Sequence, residues 1–407
     1  MIGTVGRRAD ELAKWTAVLF GLSLPLSTAF DSLLLALMVF LWLLGNNFRI
    51  KYVMIRKNPV AVAALAIFGI YVLGMFYGHI DKGALSSAKT FLLIPLMITL
   101  FQEERIRHYA WWGFLASMLL TLGLSYLVFF NFIPNDLGIK IGPIGPGKGL
   151  IGIIAQNLFM AFTAFLLATK ARFTDKRFLK VLFGALSLLA AINVLFMVPS
   201  KTGQLVLVLL IGYYLFDWMH WKGVVVAGLM IVLIAGFIYR MPANAVHVRL
   251  SELIQNYGQW QPGRAANIES STGQRMDFYY NSFKIIRKNP LFGVGTGGFR
   301  SAYQRQIENS QTIATDNPHN QYLLTGIELG LVGLVGLVSL FLTQWRMAAR
   351  LPRGQERLLA YAMLLSITTG CLFNSFLADH HEGLFYVWTT AILFAGLSSA
   401  RDEETTL

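Results

Sequence analysis

The sequence predicts an all-α integral membrane protein of about 12 transmembrane helices with one large, mainly helical periplasmic loop. Hydrophobic residues make up 55% of the 407 positions and charged residues only 14%, too little polar surface for a soluble chain of this length. The apolar residues also fall in runs near the roughly 20 residues that cross about 30 Å of hydrocarbon. A transmembrane barrel would show alternating polarity instead, so helices are predicted.

The apolar runs divide the chain into spans and one long polar segment. The predicted spans are 15–30, 32–45, 59–77, 84–101, 109–130, 150–169, 181–198, 203–217, 223–239, 321–343, 358–377 and 383–399. Residues 1–239 therefore hold spans one to nine, 240–320 form the loop domain, 321–399 hold spans ten to twelve, and 400–407 form a tail.

Lysine and arginine are distributed unevenly between the two sets of loops. The clusters at 7–14, 49–57, 105–107, 170–180 and 346–357 alternate with loops that hold few cations. By the positive-inside rule the basic set is cytoplasmic, which puts both termini inside and residues 240–320 in the periplasm. The net charge of +13 is then explained by topology and by membrane lipids, and no nucleic-acid partner is predicted.

The long polar segment carries an excess of cations and a predicted amphipathic helix. Its nine basic residues favour either anionic headgroups or an anionic substrate. The stretch "RMDFYYNSFKIIRKNP" places Met276, Tyr279, Tyr280, Phe283 and Ile286 near one helical face, and Pro290 ends the helix.

Five residues are candidates for chemistry at the periplasmic face. His319 follows a predicted turn at a helix start, where it is either part of an ordinary capping segment or a general base. Arg275, Lys201 and Lys148 lie in or beside outer segments, and Lys89 lies within a span, where snorkelling is the alternative. Cations gathered at one face suit a lipid-linked diphosphate.

Three other features of the sequence give weaker evidence for a functional role. "GVGTGG" at 293–298 follows no strand, so it is predicted to be a turn that allows close backbone approach rather than a nucleotide loop. "ADHHEG" at 378–383 has metal-ligand residue types, but their adjacency favours a polar loop, and no metal site is predicted. Glu328 is expected to cap a helix or orient a partner from another span.

Three motifs resemble the O-antigen ligase family, within the O-antigen ligase/polymerase superfamily. "SKTG" is similar to its Ser-Arg-Thr/Gly turn, "GQRMDFYYNSFKIIRKNPLFGVGTGGF" to its arginine helix and glycine turn, and "HNQYLLTGIELGLVG" to its His-Asn segment. The resemblance covers nearly the whole chain. It departs at Lys201, where the family has arginine, and a lysine offsets phosphate charge without a bidentate clamp.

The resemblance implies an inverting glycosyltransferase of class C-type architecture in the bacterial inner membrane, with its active site facing the periplasm. The donor would be undecaprenyl-diphosphate-linked O-antigen, and the acceptor the outer sugar of lipid A-core, with no cofactor, metal or ATP. His319 corresponds to the general base, and Arg275 and Lys201 to residues on the diphosphate. Lys89 and Lys148 match more loosely.

Three alternatives remain open at this point. An O-antigen polymerase and a protein-glycosylating oligosaccharyltransferase belong to the same superfamily, although the first often shows two large loops and the second a longer C-terminal extension. A lipid-linked sugar transporter has similar hydropathy. It should show repeated halves or broken midplane helices, and the sequence shows no such repeat.

Overall fold

The computed structural model describes residues 2–78, 82–132, 151–198, 200–223, 225–226, 228–229, 258, 260–264 and 270–398. This part of the chain is helical and contains no strand. Its helices are α1 (Ile2–Ser23), α2 (Thr28–Leu44), α3 (Phe48–Lys57), α4 (Pro59–Met75), α5 (Lys82–Leu100), α6 (Glu104–Phe129), α7 (Ile153–Phe173), α8 (Arg177–Ile192), α9 (Lys201–Met219), α10 (Ser271–Lys288), α11 (Phe299–Ile307), α12 (Gln321–Arg350), α13 (Gln355–Gly370) and α14 (His380–Phe394).

The all-helical membrane fold is confirmed at the level of fold class. Four of these helices, α6, α7, α9 and α12, are long and apolar enough to cross a membrane, as is α8 together with the π-helical turn Asn193–Met197. The pair α2 and α3, bent by 114°, would make a sixth. The total of twelve stays a prediction, and most of the expected ninth span, 223–239, lies outside the described residues.

Helix α14 is buried on all sides within the described core. From His381 to Phe394 every residue is buried, which is typical of a helix packed on all sides. The Trp388 indole donates to the carbonyl of Ala17 at 3.2 Å, and the Asn58 amide donates to the carbonyl of Phe394 at 2.8 Å. Hydrogen bonds thus connect α14 to α1 and to the start of α4.

Three predicted boundaries differ from the structure. The predicted first span, 15–30, is not one helix, because α1 ends at Ser23 and Pro25 lies in the turn before α2. Residues 49–57, expected to be a loop, form α3, and Asn47 in the left-handed region (φ 64°) turns the chain into it. The eleventh span ends at Gly370, and residues 371–379 form turns.

Candidate active site

A cavity of about 500 Å³ lies where α9, α10 and the segment after α13 meet. Its lining combines apolar and polar side chains, which are Ile154, Ser200, Lys201, Thr202, Leu205, Ser271, Thr272, Arg275, Met276, Tyr279 and Phe373. Lys201 and Arg275 are the charged residues among them. Two of the predicted cations therefore share one cavity, and its lining has a positive electrostatic character.

Helix α10 positions Arg275 and Tyr279 on one face. The helix begins after Ser270, whose hydroxyl accepts a hydrogen bond from the backbone N–H of Gly273 at 3.0 Å. Arg275 and Tyr279 are four residues apart, so they lie one above the other along the helix. The Tyr279 hydroxyl is within donating distance of the carbonyls of His319 (3.2 Å) and Leu372 (3.1 Å). Helix α10 is thereby attached to the two segments that complete the site.

The five residues that the sequence places near one face of α10 do not form its buried face. The buried positions include Phe278 and Ile285, whereas Phe283 is exposed. Two different surroundings explain the error: one side of the helix packs into the loop domain and α12, while Met276 and Tyr279 line the cavity. The helix ends at Lys288, two residues before Pro290, close to the predicted end.

A tightly packed turn holds Lys201 at the start of α9. The Asn157 amide lies 3.2–3.3 Å from the carbonyls of Val198 and Ser200, which fixes the chain just before the helix. A Cβ at Gly203 would lie 2.8 Å from the Asn157 side chain, so only glycine allows this approach. The local structure explains the residues of the "SKTG" motif. Ser200 caps the helix, Gly203 leaves room for the Asn157 side chain, and Lys201 remains exposed at the cavity.

His319 adopts an uncommon backbone conformation immediately before α12. Its φ is 52°, in the left-handed region that a residue with a Cβ rarely occupies. Its N–H donates to Asn317 Oδ1 at 2.8 Å, and its carbonyl accepts from Tyr279. The imidazole stacks on Phe278 with the ring centroids 6.0 Å apart. The ring is therefore held by restraints on both its backbone and its face.

The surroundings of His319 favour a neutral imidazole. Burial, and then the positive charge of Arg275, lower its pKa from the ordinary value, while a side-chain hydrogen bond with Asn374 acts in the opposite direction. Arg275 thus interacts electrostatically with His319 as well as lining the cavity. A half-buried imidazole whose pKa is lowered can accept a proton at neutral pH.

The turns after α13 connect the pieces of the site. Asn374 lies 3.5 Å from the Thr202 hydroxyl at the start of α9, and the Ser375 hydroxyl donates to Asn317 Oδ1 at 2.7 Å. The Cys371 carbonyl accepts from the backbone N–H of Gln321 at 2.8 Å. These contacts were not predicted, because the sequence pattern at 371–377 is apolar and continues the run of α13.

The other two predicted cations are not part of this cavity as described. Lys89, on α5, lies near His380, close enough for the two side chains to interact electrostatically, and it does not line the cavity. Lys148 lies outside the described residues. The substrate-binding roles of both residues remain predictions.

The glycine-rich turn packs into a break in α12. Gly330, with φ 60°, interrupts that helix, and the freed N–H groups of Leu331 and Val332 donate to the carbonyls of Pro290 and Leu291. A Cβ at Gly295 would lie 2.2 Å from the Cα of Gly78, which explains the close approach predicted for this turn.

Glu328 orients this turn rather than a partner from another span. Its Oε1 atom accepts from the backbone N–H of Gly297 at 3.1 Å. Glu328 therefore has an orienting role, as expected, but the group that it orients is the backbone of the glycine-rich turn. Glu328 is buried just before the break in α12, so it fixes the turn where the helix is interrupted.

The "ADHHEG" segment is not the polar loop that the sequence predicted. His380 and His381 begin α14, and Asp31, from α2, approaches them so that one donor atom of each of the three lies within 4.8 Å of the others. Adjacency in sequence had suggested poor ligand geometry, but the third donor comes from a distant helix. Asp379, just before α14, faces the amide of Asn317 at 3.5 Å.

Comparison with known proteins agrees with the motif resemblance. Residues 186–338 match the model of the family described as O-antigen ligase. An uncharacterized protein of Haemophilus influenzae is 24% identical over 270 residues, and the chain spans 63% of the length of that curated relative. A solved chain from work on "structural coordination of polymerization and crosslinking by a peptidoglycan synthase complex" has a TM-score of 0.50 at 16% identity, covering 84% of this chain and 97% of its own.

Several apolar helices around a cationic cavity define a multi-pass membrane protein. The match over 186–338 spans the turn of Lys201, the helix of Arg275 and the segment of His319. It confirms the resemblance, and this part of the chain is similar to the O-antigen ligase family. The similar solved chain, at 16% identity, supports the fold alone.

Proposed function

We propose that the protein is an O-antigen ligase: an inverting glycosyltransferase that moves O-antigen polysaccharide from undecaprenyl diphosphate to the outer sugar of lipid A-core. The single observation that carries the proposal is the shared cavity of Lys201 and Arg275 with His319 beside it. Cations suit the diphosphate of a lipid-linked donor, and an imidazole suits a hydroxyl acceptor. The family match supports O-antigen as the class of glycan.

The proposed reaction transfers one glycosyl group and one proton. His319 takes the proton from the acceptor hydroxyl while that oxygen attacks the anomeric carbon of the donor. The bond from this carbon to the diphosphate oxygen breaks, and the diphosphate keeps the electron pair. Attack opposite the leaving group inverts the anomeric configuration.

Arg275 and Lys201 offset the charge that accumulates on the leaving diphosphate. Fixed cations directed at developing charge are often worth about 3–4 kcal/mol each in the transition state. The exposed Lys201 ammonium acts as a point charge, whereas the Arg275 guanidinium has a fork of donors that matches phosphate oxygens. The hydrogen bond from the Tyr279 hydroxyl to the His319 carbonyl fixes the position of α10 relative to the base.

Apolar residues in the cavity suit the isoprenoid part of the donor. Ile154, Leu205 and Phe373 lie in the same lining as the two cations. An amphipathic donor of this kind presents phosphates next to hydrocarbon, and the cavity offers both surroundings side by side. The activated diphosphate supplies the driving force, so the reaction is proposed to need neither ATP nor a divalent ion at the cavity.

The direct test is transfer in vitro with purified protein, lipid A-core and undecaprenyl-diphosphate-linked glycan. The expected product is glycan attached to core, formed at a rate that does not change when ATP, Mg²⁺ or Mn²⁺ is added. Free polymer without attachment to core would instead indicate the polymerase, and glycan on an added protein acceptor would indicate the protein-glycosylating enzyme. Donor that crosses the membrane unchanged would indicate transport.

A further inference from the structure

Three metal-ligating side chains meet outside the cavity, where the start of α2 approaches the start of α14. Asp31 comes from the first turn of α2, and His380 and His381 are the first residues of α14. One donor atom of each lies within 4.8 Å of the other two. We propose that these residues bind one divalent transition-metal ion of the zinc class.

The spacing of two of the donors fits a shared ion. Asp31 Oδ2 and His381 Nδ1 are 3.3 Å apart. Zinc bonds of about 2.0–2.2 Å in tetrahedral geometry put neighbouring ligand atoms roughly 3.3–3.5 Å apart. The pair lacks the alignment of a hydrogen bond, since neither atom has a hydrogen-bond partner among the described residues. Two imidazoles with one carboxylate are donors that Zn²⁺ and related ions accept.

Burial makes the lack of hydrogen-bond partners informative. Asp31 is fully buried and His381 is 9% exposed. In the described part of the chain, Asp31 Oδ2, His380 Nε2 and His381 Nδ1 all have no hydrogen-bond partner. Buried polar atoms are normally paired, and each exception calls for an explanation. One cation would satisfy all three atoms at once.

The outer contacts of the cluster also resemble those of a metal site. The other ring nitrogen of His381, Nε2, lies 3.0 Å from the Thr28 hydroxyl. The other carboxylate oxygen of Asp31 accepts from the Ser23 hydroxyl at 2.6 Å. Metal-ligating histidines use their second nitrogen in this way, which fixes the tautomer and leaves the first nitrogen as a lone-pair donor.

A metal-free ion pair between Asp31 and a protonated His381 is the competing arrangement. The 3.3 Å separation allows such a pair, but it leaves His380 Nε2 without a hydrogen-bond partner and adds no hydrogen bond between Asp31 and His381. Lys89 lies near His380, so a bound cation must tolerate one neighbouring positive charge. With three protein donors, a fourth position remains for water or an anion such as phosphate.

The test measures cobalt binding by the full-length protein in detergent, purified with a histidine-free tag. Protein stripped by a chelator is dialysed against Co²⁺, and metal content and visible absorption are recorded. One Co²⁺ per chain is expected, displaced by Zn²⁺, with loss of binding in Asp31→Asn and in His380→Gln. The control His108→Gln, on α6, should bind as the wild type does. Lys89→Met should bind at least as tightly, because a repelling charge is removed.

The stability readout separates metal binding from a folding defect. An ion that binds only the folded state raises the melting temperature, so Zn²⁺ should raise it in the wild type and in His108→Gln but not in Asp31→Asn or His380→Gln. The variants should still melt cooperatively. Wild-type protein without bound Co²⁺, or unchanged binding in both ligand variants, would overturn the proposal. Weaker binding in Lys89→Met would overturn the assignment of the ligands.

Discussion

At the residue scale, the left-handed backbone of His319 decides how its role is best tested. Asparagine tolerates φ near 52° better than most residues, so His319→Asn removes the imidazole with little added backbone strain. Loss of a general base alone predicts a fall in transfer of roughly 10²–10⁴. The measurement is the single-turnover rate with saturating donor, alongside donor binding, which should persist. His108→Asn serves as the control, and equal damage there would remove the specific role.

The lowered pKa of His319 also predicts the pH profile. The base acts in its neutral form, so the rate should be flat above the ordinary imidazole pKa of about 6.5 and fall only at lower pH. Because Arg275 contributes to the lowering, the acid limb of Arg275→Gln should shift to higher pH in its residual activity. A rate that rises on acidification would instead make His319 a cation on the leaving group.

The two cations of the cavity differ in what a substitution should do. Arg275→Gln should reduce transfer by roughly 10²–10³, because a diphosphate oxygen loses a charge-assisted donor. Lys201→Arg should be tolerated, since the charge remains at an exposed position, whereas Lys201→Met should lose activity. Initial rates with the same donor give the comparison. If Lys201→Arg and Lys201→Met were equally damaging, the position would be steric rather than electrostatic.

At the scale of elements, the packing of the glycine-rich turn into the break of α12 can be tested by substitution. Gly295 has φ 89° and lies against the backbone of Gly78, so Gly295→Ala should destabilise the fold by about 1–3 kcal/mol. A lower melting temperature in detergent is expected. Gly184→Ala, in α8, is the matched control, because nothing lies within 4 Å of its added Cβ and alanine favours helix. Similar melting temperatures for the two variants would contradict the docked turn.

The same elements show which parts of the fold a sequence pattern can predict. The start of α12 at Gln321 was predicted, because a turn at Asn317-Pro318 precedes an apolar run. The break at Gly330 was not predicted, because it depends on Pro290 and Leu291 entering from a distant turn. Local periodicity describes one helix, whereas a break stabilised by another segment is a property of their packing.

The candidate site likewise contains residues that the sequence predicted and residues that it did not. Lys201, Arg275 and His319 stood out because each belongs to a motif. Tyr279 and the turns at 371–377 were missed, because their residues also fit an apolar helix face or span. The contact of Thr28 with His381 joins positions 353 residues apart, so no local signal in the sequence pairs α2 with α14.

At the scale of the whole molecule, the orientation in the membrane follows from the distribution of cations and stays a prediction. The basic cluster at 170–180 is expected in the cytoplasm, and residues 240–320 in the periplasm. A cysteine at Gln261 should react with an impermeant maleimide in intact spheroplasts, whereas one at Asp175 should react only after permeabilisation. Both positions are exposed, and the native Cys371 is buried, so the unmodified protein serves as the unlabelled control. Protection at 261 together with labelling at 175 would invert the topology. It would also put His319 on the wrong side for a periplasmic acceptor, because His319 ends the same loop.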